Sequence, residues 1–151
     1  MVAVDGNLWF AEYQGGKIGM MTPAGEFEEF PLPTSASYPY AITLGPDGNL
    51  WFDNALEVAR ITPSGTVTEF PLWTDSNYPD HNPYLHAITA GPDGNLWFTE
   101  GTADKIGTLT PAGVLTEYAV PTANADLWGI AQGPDGYVWF TEAAKIGRIV
   151  P

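Results

Sequence analysis

The string Asp-Gly-Asn-Leu-Trp-Phe stands at Asp5–Phe10, Asp47–Phe52 and Asp93–Phe98, and returns as Asp-Gly-Tyr-Val-Trp-Phe at Asp135–Phe140. Successive copies begin 42, 46 and 42 residues apart. Around it lies a longer unit, which each copy keeps in part: an Ala-Ile-Thr-like start, Gly-Pro-Asp-Gly, the Trp-Phe segment, Lys-Ile-Gly, Thr-Pro-x-Gly and Thr-Glu-Phe-Pro-Leu. A period of 40–45 residues with turn signals at short intervals is the signature of four-stranded propeller blades. The units fall at about 1–34, 35–74, 75–122 and 123–151, one partial β-propeller domain in an all-β chain.

The third unit shows the expected strands: Ala87–Ala90, Asn95–Thr99, Lys105–Thr110 and Val114–Val120. Pro92-Asp93-Gly94 and Pro111-Ala112-Gly113 separate them as tight turns, proline presetting φ and glycine accepting a positive one. No segment carries apolar residues at helical spacing over three turns. Leu96-Trp97-Phe98 is apolar on both faces of its strand, as a sheet covered on each side requires. The Trp-Phe pairs are therefore expected to form the core between neighbouring blades.

The first unit opens on a shortened strand, Val2–Val4, and the last closes on a third strand, Lys145–Val150, so the fourth blade is expected to lack its outer strand. Four blades alone in a ring would meet at about 90°, against about 51° or 45° for seven or eight. An open ring leaves two flat apolar faces of roughly 300 Å² each, more than a soluble monomer usually exposes. The expectation is a homodimer that closes a ring head to tail, with the alternative that the chain is part of a longer propeller.

Charge and composition narrow the partners. Five Lys+Arg against 18 Asp+Glu give a formal net charge of −13, which repels phosphate backbones, so neither nucleic acid nor anionic membrane is expected as a partner. No apolar run reaches the roughly 18–20 residues of a spanning helix, and Met1–Val4 lacks the basic start and length of a signal peptide. With no cysteine, thiolate–zinc sites, disulfides and thiol nucleophiles are excluded, and the compartment stays open.

The hairpin around each Pro-Asp-Gly pairs residues equally far from the turn. It sets His86 beside Glu100, Tyr40 beside Asn54, and Trp128 beside Glu142, all on the rim opposite the turns. Glu12 joins them from the first unit. The insertion Thr74–Leu85 adds Asp75, Asp80 and His81, either as a cap or cation site or as a plain polar loop. His86 with Glu100 reads as an acid–base pair or as a structural hydrogen bond. Tyr40, Tyr84 and Trp128 line the channel mouth among acidic groups, which suits a cationic, sugar-like or peptidic small molecule.

The strings "GPDGNLWFTE", "KIG", "TEFPL" and "FPLPT" resemble those of the virginiamycin B lyase (streptogramin lyase) family of β-propellers, over essentially the whole chain. That family normally has seven blades, so this chain is similar to a half-length relative. The resemblance implies a carbon–oxygen lyase that opens streptogramin B antibiotics, cyclic peptides, at their threonyl ester, with Mg²⁺ and a histidine base. Leu85-His86-Ala87-Ile88-Thr89 matches the family's Pro-His-Ala-Ile-Thr except at Leu85. Where the family has Glu-x-His, this chain has Asp126-Leu127-Trp128. Glu142 matches the second metal-linked glutamate, so the resemblance implies Asp126 and Glu142 as metal ligands. Tyr38-Pro39-Tyr40-Ala41-Ile42 is the nearest match to a Pro-Tyr-Gly-Ile context, implying a catalytic Tyr40 beside His86. Trp128 departs from the pattern, because an indole N–H donates and cannot accept a proton. Glu100, Trp128, Tyr84 and Glu12 remain as ligand-binding candidates. The alternative readings are a non-catalytic binding propeller and a self-assembling scaffold.

Overall fold

The repeated aspartate builds the first hairpin of a blade. Asp47 Oδ1 accepts the indole N–H of Trp51 at 2.8 Å, and Asp93 and Asp135 accept those of Trp97 and Trp139 at 3.0 Å. Each also accepts a backbone N–H two residues on, from Asn49, Asn95 and Tyr137. The carboxylate thus ties the turn to the strand that follows. In the first repeat, Asp5 and Gly6 instead take positive φ (52° and 78°) as a two-residue turn, with Val4 opposite Asn7.

The computed structural model describes residues 1–34, 38–54, 57–72 and 84–151. Among these, fifteen strands form four antiparallel sheets and no helix occurs. Blade one holds β1 (Val2–Val4), β2 (Asn7–Glu12), β3 (Lys17–Met21) and β4 (Phe27–Pro31). Blade two holds β5 (Pro39–Leu44), β6 (Leu50–Asn54), β7 (Glu57–Ile61) and β8 (Val67–Pro71). Blade three holds β9 (Leu85–Ala90), β10 (Leu96–Glu100), β11 (Lys105–Leu109) and β12 (Leu115–Ala119). Blade four has three strands, β13 (Ile130–Gln132), β14 (Val138–Thr141) and β15 (Ile146–Ile149). Strand order follows the sequence within every sheet, and the first strands of successive blades pack together, β1 and β2 on β5, β5 on β9, β9 on β13. This is a β-propeller architecture. The segment holding Asp75, Asp80 and His81 lies outside the described residues.

The core lies between blades. Trp9 packs with Leu50 and Phe52, Trp51 with Leu96 and Phe98, and Trp97 with Val138 and Phe140. Alternation along each second strand sends its tryptophan to the next blade and the flanking Leu and Phe (Val and Phe in blade four) to the previous one. Fully burying such side chains contributes about 1.5–3 kcal/mol each, so the blades hold one another in place.

Two registrations differ from the hairpin arithmetic. A bulge in β9 puts Leu85 opposite Glu100, and one in β5 puts Pro39 opposite Asn54. The extra residue shifts His86 and Tyr40 off the positions that an uninterrupted ladder would give them.

Candidate functional site

The bulges aim side chains at the rim away from the Pro-Asp-Gly turns. His86 does not pair with Glu100. Its Nδ1 lies 2.7 Å from the carbonyl oxygen of Leu127, in the next blade, and its ring stacks on Trp128 with centroids 4.3 Å apart and planes at 16°. A carbonyl only accepts, so Nδ1 carries the hydrogen, and in the neutral ring Nε2 keeps its lone pair. Thr99 Oγ1 donates to the Trp128 carbonyl at 2.8 Å, and the Gly129 N–H donates to Thr141 Oγ1 at 2.8 Å, which fixes the strand entry carrying the indole.

Gly101, which the sequence reading passed over, makes room for this arrangement. A Cβ there would lie 2.5 Å from His86 Cε1 and 3.2 Å from the Leu127 carbonyl oxygen. Its N–H donates to the Tyr84 carbonyl at 3.0 Å, which joins the loop after β10 to the entry of β9.

Glu100 faces the other way. It is fully buried, neither carboxylate oxygen has a hydrogen-bond partner, and Oε1 lies where a Cβ on Gly107 would be 2.8 Å away. Burial, together with the neighbouring Glu117, pushes its carboxyl up to about 8, against a smaller opposing pull from Lys105. Glu100, a ligand-binding candidate on the sequence, is thus enclosed by the described residues. Blade one repeats the arrangement: burial and Glu29 raise Glu12, while Lys17 pairs with Glu29 at 2.8 Å. Glu12 Oε1 is likewise buried without a partner.

Tyr40 belongs to a second cluster. Its ring meets Tyr13 edge-on at 6.2 Å, and Tyr13 also contacts Tyr38 at 5.5 Å, all three about half exposed. The Tyr40 and Ala41 N–H groups donate to Asp53 Oδ1 at 2.9 and 2.6 Å. Burial pushes Asp53 up to about 7, against those two hydrogen bonds, and Oδ2 has no partner. The structure thus places Tyr40 with Tyr13, while His86 is held by blade four. Tyr84 and Trp128 are also half exposed.

Asp126 and Glu142 lie on adjacent backbone, since the Ala143 N–H donates to the Ala125 carbonyl at 2.8 Å. Asp104, a further residue the sequence did not single out, accepts the N–H groups of Asn124 (2.8 Å) and Ala125 (2.7 Å) and so positions this loop. Asp126 is exposed, with a positive φ of 49°. Glu142 Oε2 is buried without a hydrogen-bond partner, 3.6 Å from Lys145 Nζ. Two carboxylates are hard oxygen donors of the type that Mg²⁺ takes. No group of three or more acidic or histidine side chains that could hold a metal assembles among the described residues.

A family model described as the virginiamycin B lyase family matches residues 1–151. Similar solved structures include selenomethionine-substituted virginiamycin B lyase from Staphylococcus aureus, at TM-score 0.90 and 40% identity, covering 100% of this chain and 51% of that one. A streptogramin B lyase structure matches at TM-score 0.89 and 40% identity, covering 99% and 50%. A catalytically inactive histidine-to-alanine variant of the Staphylococcus aureus lyase with quinupristin matches at 0.90 and 40%, covering 99% and 50%. The chain spans about half the length of these relatives. No curated protein sequence matches it.

Proposed function

The chain belongs to the virginiamycin B lyase family, and from that premise we propose that it acts as a carbon–oxygen lyase on cyclic peptide esters of the streptogramin B type. The observation that carries the reading is His86, whose Nδ1–H is tied to Leu127 and whose Nε2 is left to accept a proton. Nε2 takes the hydrogen from the carbon next to the one bearing the ester oxygen. The electron pair becomes a carbon–carbon double bond, the carbon–oxygen bond breaks, and the ester's acyl half leaves as a carboxylate. Trp128 supports His86 from one side and offers a half-exposed apolar face to the ring of the substrate. Tyr84 and Tyr40 supply further aromatic surface on the same rim. Asp126 and Glu142 would hold Mg²⁺, which when bound polarises the substrate carbonyl.

A second reading, binding of the cyclic peptide without turnover, is favoured by Trp128, which stands where the family pattern carries a histidine and cannot accept a proton. Incubation with a streptogramin B, followed by mass spectrometry of the product, separates the two. The lyase reading expects ring-opened product without addition of water, lost in His86→Ala and reduced by EDTA. Intact antibiotic together with a calorimetric heat of binding leaves the binding reading, and neither signal overturns both.

A further inference from the structure

The same two positions come to the rim in blades two, three and four. Tyr38-Pro39-Tyr40, Tyr84-Leu85-His86 and Asp126-Leu127-Trp128 stand at equivalent places in their repeats. In each, the middle residue is buried and the two beside it are exposed or half-buried. Blade three places His86 there, stacked on Trp128 of blade four, whereas blade two carries two tyrosines. Blade one adds Tyr13, where blade three has Gly101 and blade four Ala143, and the Tyr13 ring contacts both Tyr38 and Tyr40. The last two residues of β6 hold this group from beneath. Asn54 Oδ1 accepts the Tyr38 N–H at 2.9 Å, and Asp53 Oδ1 accepts those of Tyr40 and Ala41. Asp53 is 1% exposed and Asn54 2%. At the place of Asp53, blades three and four carry the neutral Thr99 and Thr141. Burying a carboxyl costs more than burying a hydroxyl, and departures of this kind from what stability favours gather at functional sites.

We propose that Tyr13, Tyr38 and Tyr40 form a subsite for an aromatic side chain of the cyclic peptide whose ester lies at His86. The identity of that ligand rests on the reading of His86 given above. Tyr40 and His86 are repeat equivalents on β5 and β9, first strands that pack together, so a macrocycle in contact with His86 lies beside Tyr40. The Tyr13 ring stands at 44° to Tyr38 and at 84° to Tyr40. Rings set at these angles offer a further ring both a face and an edge, the two ways in which aromatic groups pair. Trp128 then meets the macrocycle on the blade-four side of His86 and the tyrosines meet it on the blade-two side. Asp53 and Asn54 act as positioning residues, since they hold the backbone that carries the rings.

Titration of a streptogramin B into the full chain carrying His86→Ala, which lacks the proposed base, tests the subsite by calorimetry and through the tyrosine ring protons. The expected result is a shift of the Tyr13, Tyr38 and Tyr40 signals as the antibiotic binds. Tyr13→Ala, at a half-exposed side chain, is expected to weaken binding about tenfold with an unchanged circular dichroism spectrum, and Tyr13→Phe to retain the affinity. In a chain that keeps His86, Tyr13→Ala is expected to raise KM about tenfold and leave kcat unchanged. Binding that leaves the three rings unshifted, a Tyr13→Ala chain of full affinity, or a Tyr13→Phe chain as weak as Tyr13→Ala would each overturn the subsite, while ring-opening by the wild type would keep the lyase reading. Shifted rings and weakened Tyr13→Ala binding without ring-opened product would keep the subsite and overturn the lyase reading. No binding at all would overturn both.

Discussion

Replacing Glu100 by glutamine should stabilise the protein, and by an amount that depends on pH in a defined way. In the folded chain the carboxyl lies fully buried over Gly107, beside Glu117, whose charge Lys105 neutralises at 3.2 Å. Glu100, buried and without an ion-pair partner of its own, keeps the proton. Its pKa rises from 4.5 to about 8, burial being the largest cause. Because the folded value is the higher, the unfolded chain releases this proton first as pH rises. Glu100 then contributes its stability in full below about 4.5, and loses it progressively between there and about 8. At about 1.4 kcal/mol per pKa unit, the loss reaches about 3 kcal/mol by pH 7, as an upper bound. Glutamine has nearly the same shape and cannot ionise. Blade two already carries such an amide at the equivalent position, where Asn54 Nδ2 donates to Glu57 Oε1 at 2.7 Å. Urea unfolding of both proteins at pH 5, 6, 7 and 8 is the assay. The expected difference is small at pH 5 and grows to about 3 kcal/mol in favour of the variant at pH 7. A difference that is flat with pH, or a variant less stable at pH 7, would refute the assignment of the proton to Glu100.

Gly101→Ala should drive a methyl into His86 Cε1, abolishing the His86–Leu127 hydrogen bond and any ring-opening activity while the fold persists; the imidazole resonances and the turnover assay report both. Asp93→Ala removes the acceptor of the Trp97 indole and two Asn95 donors, and should cost about 2 kcal/mol in urea unfolding. Although burial opposes it, those hydrogen bonds hold Asp93 below the usual carboxylate range, so the wild type loses this stability as pH falls through that lowered value, and the variant shows no such loss. Asp104→Ala frees the N–H groups of Asn124 and Ala125; it should raise hydrogen exchange at those two amides by at least about tenfold and leave the blade-two amides unchanged.

The blades were legible because repeat period and turn chemistry are local. The expected strands of the third repeat lie within two residues of the observed β9–β12, and Val2–Val4 is β1 as read. The bulges were not legible: mirror pairing about Pro-Asp-Gly assumes an unbroken ladder, and one extra residue in β9 exchanges Glu100 for Leu127 as the partner of His86. That contact joins two blades, and spacing within one repeat carries no information about it. Glu100 looked like a rim carboxylate because it ends a strand, yet β10 is covered on both faces to its last residue. The aspartate of the repeated string read as a turn former, and its hold on the tryptophan four residues on appears only with the side chains in place.

The protonation pattern of His86 bears most directly on the account, because it reports the stacking of blade three on blade four and the availability of a base at once. Long-range proton–nitrogen correlation near neutral pH resolves it, with His81→Gln to assign the signals of the two histidines. The neutral ring is predicted to carry its hydrogen on Nδ1, with Nε2 bare. A bare Nδ1, or a ring that averages freely between the two forms, would contradict both the blade contact and the chemistry drawn from it.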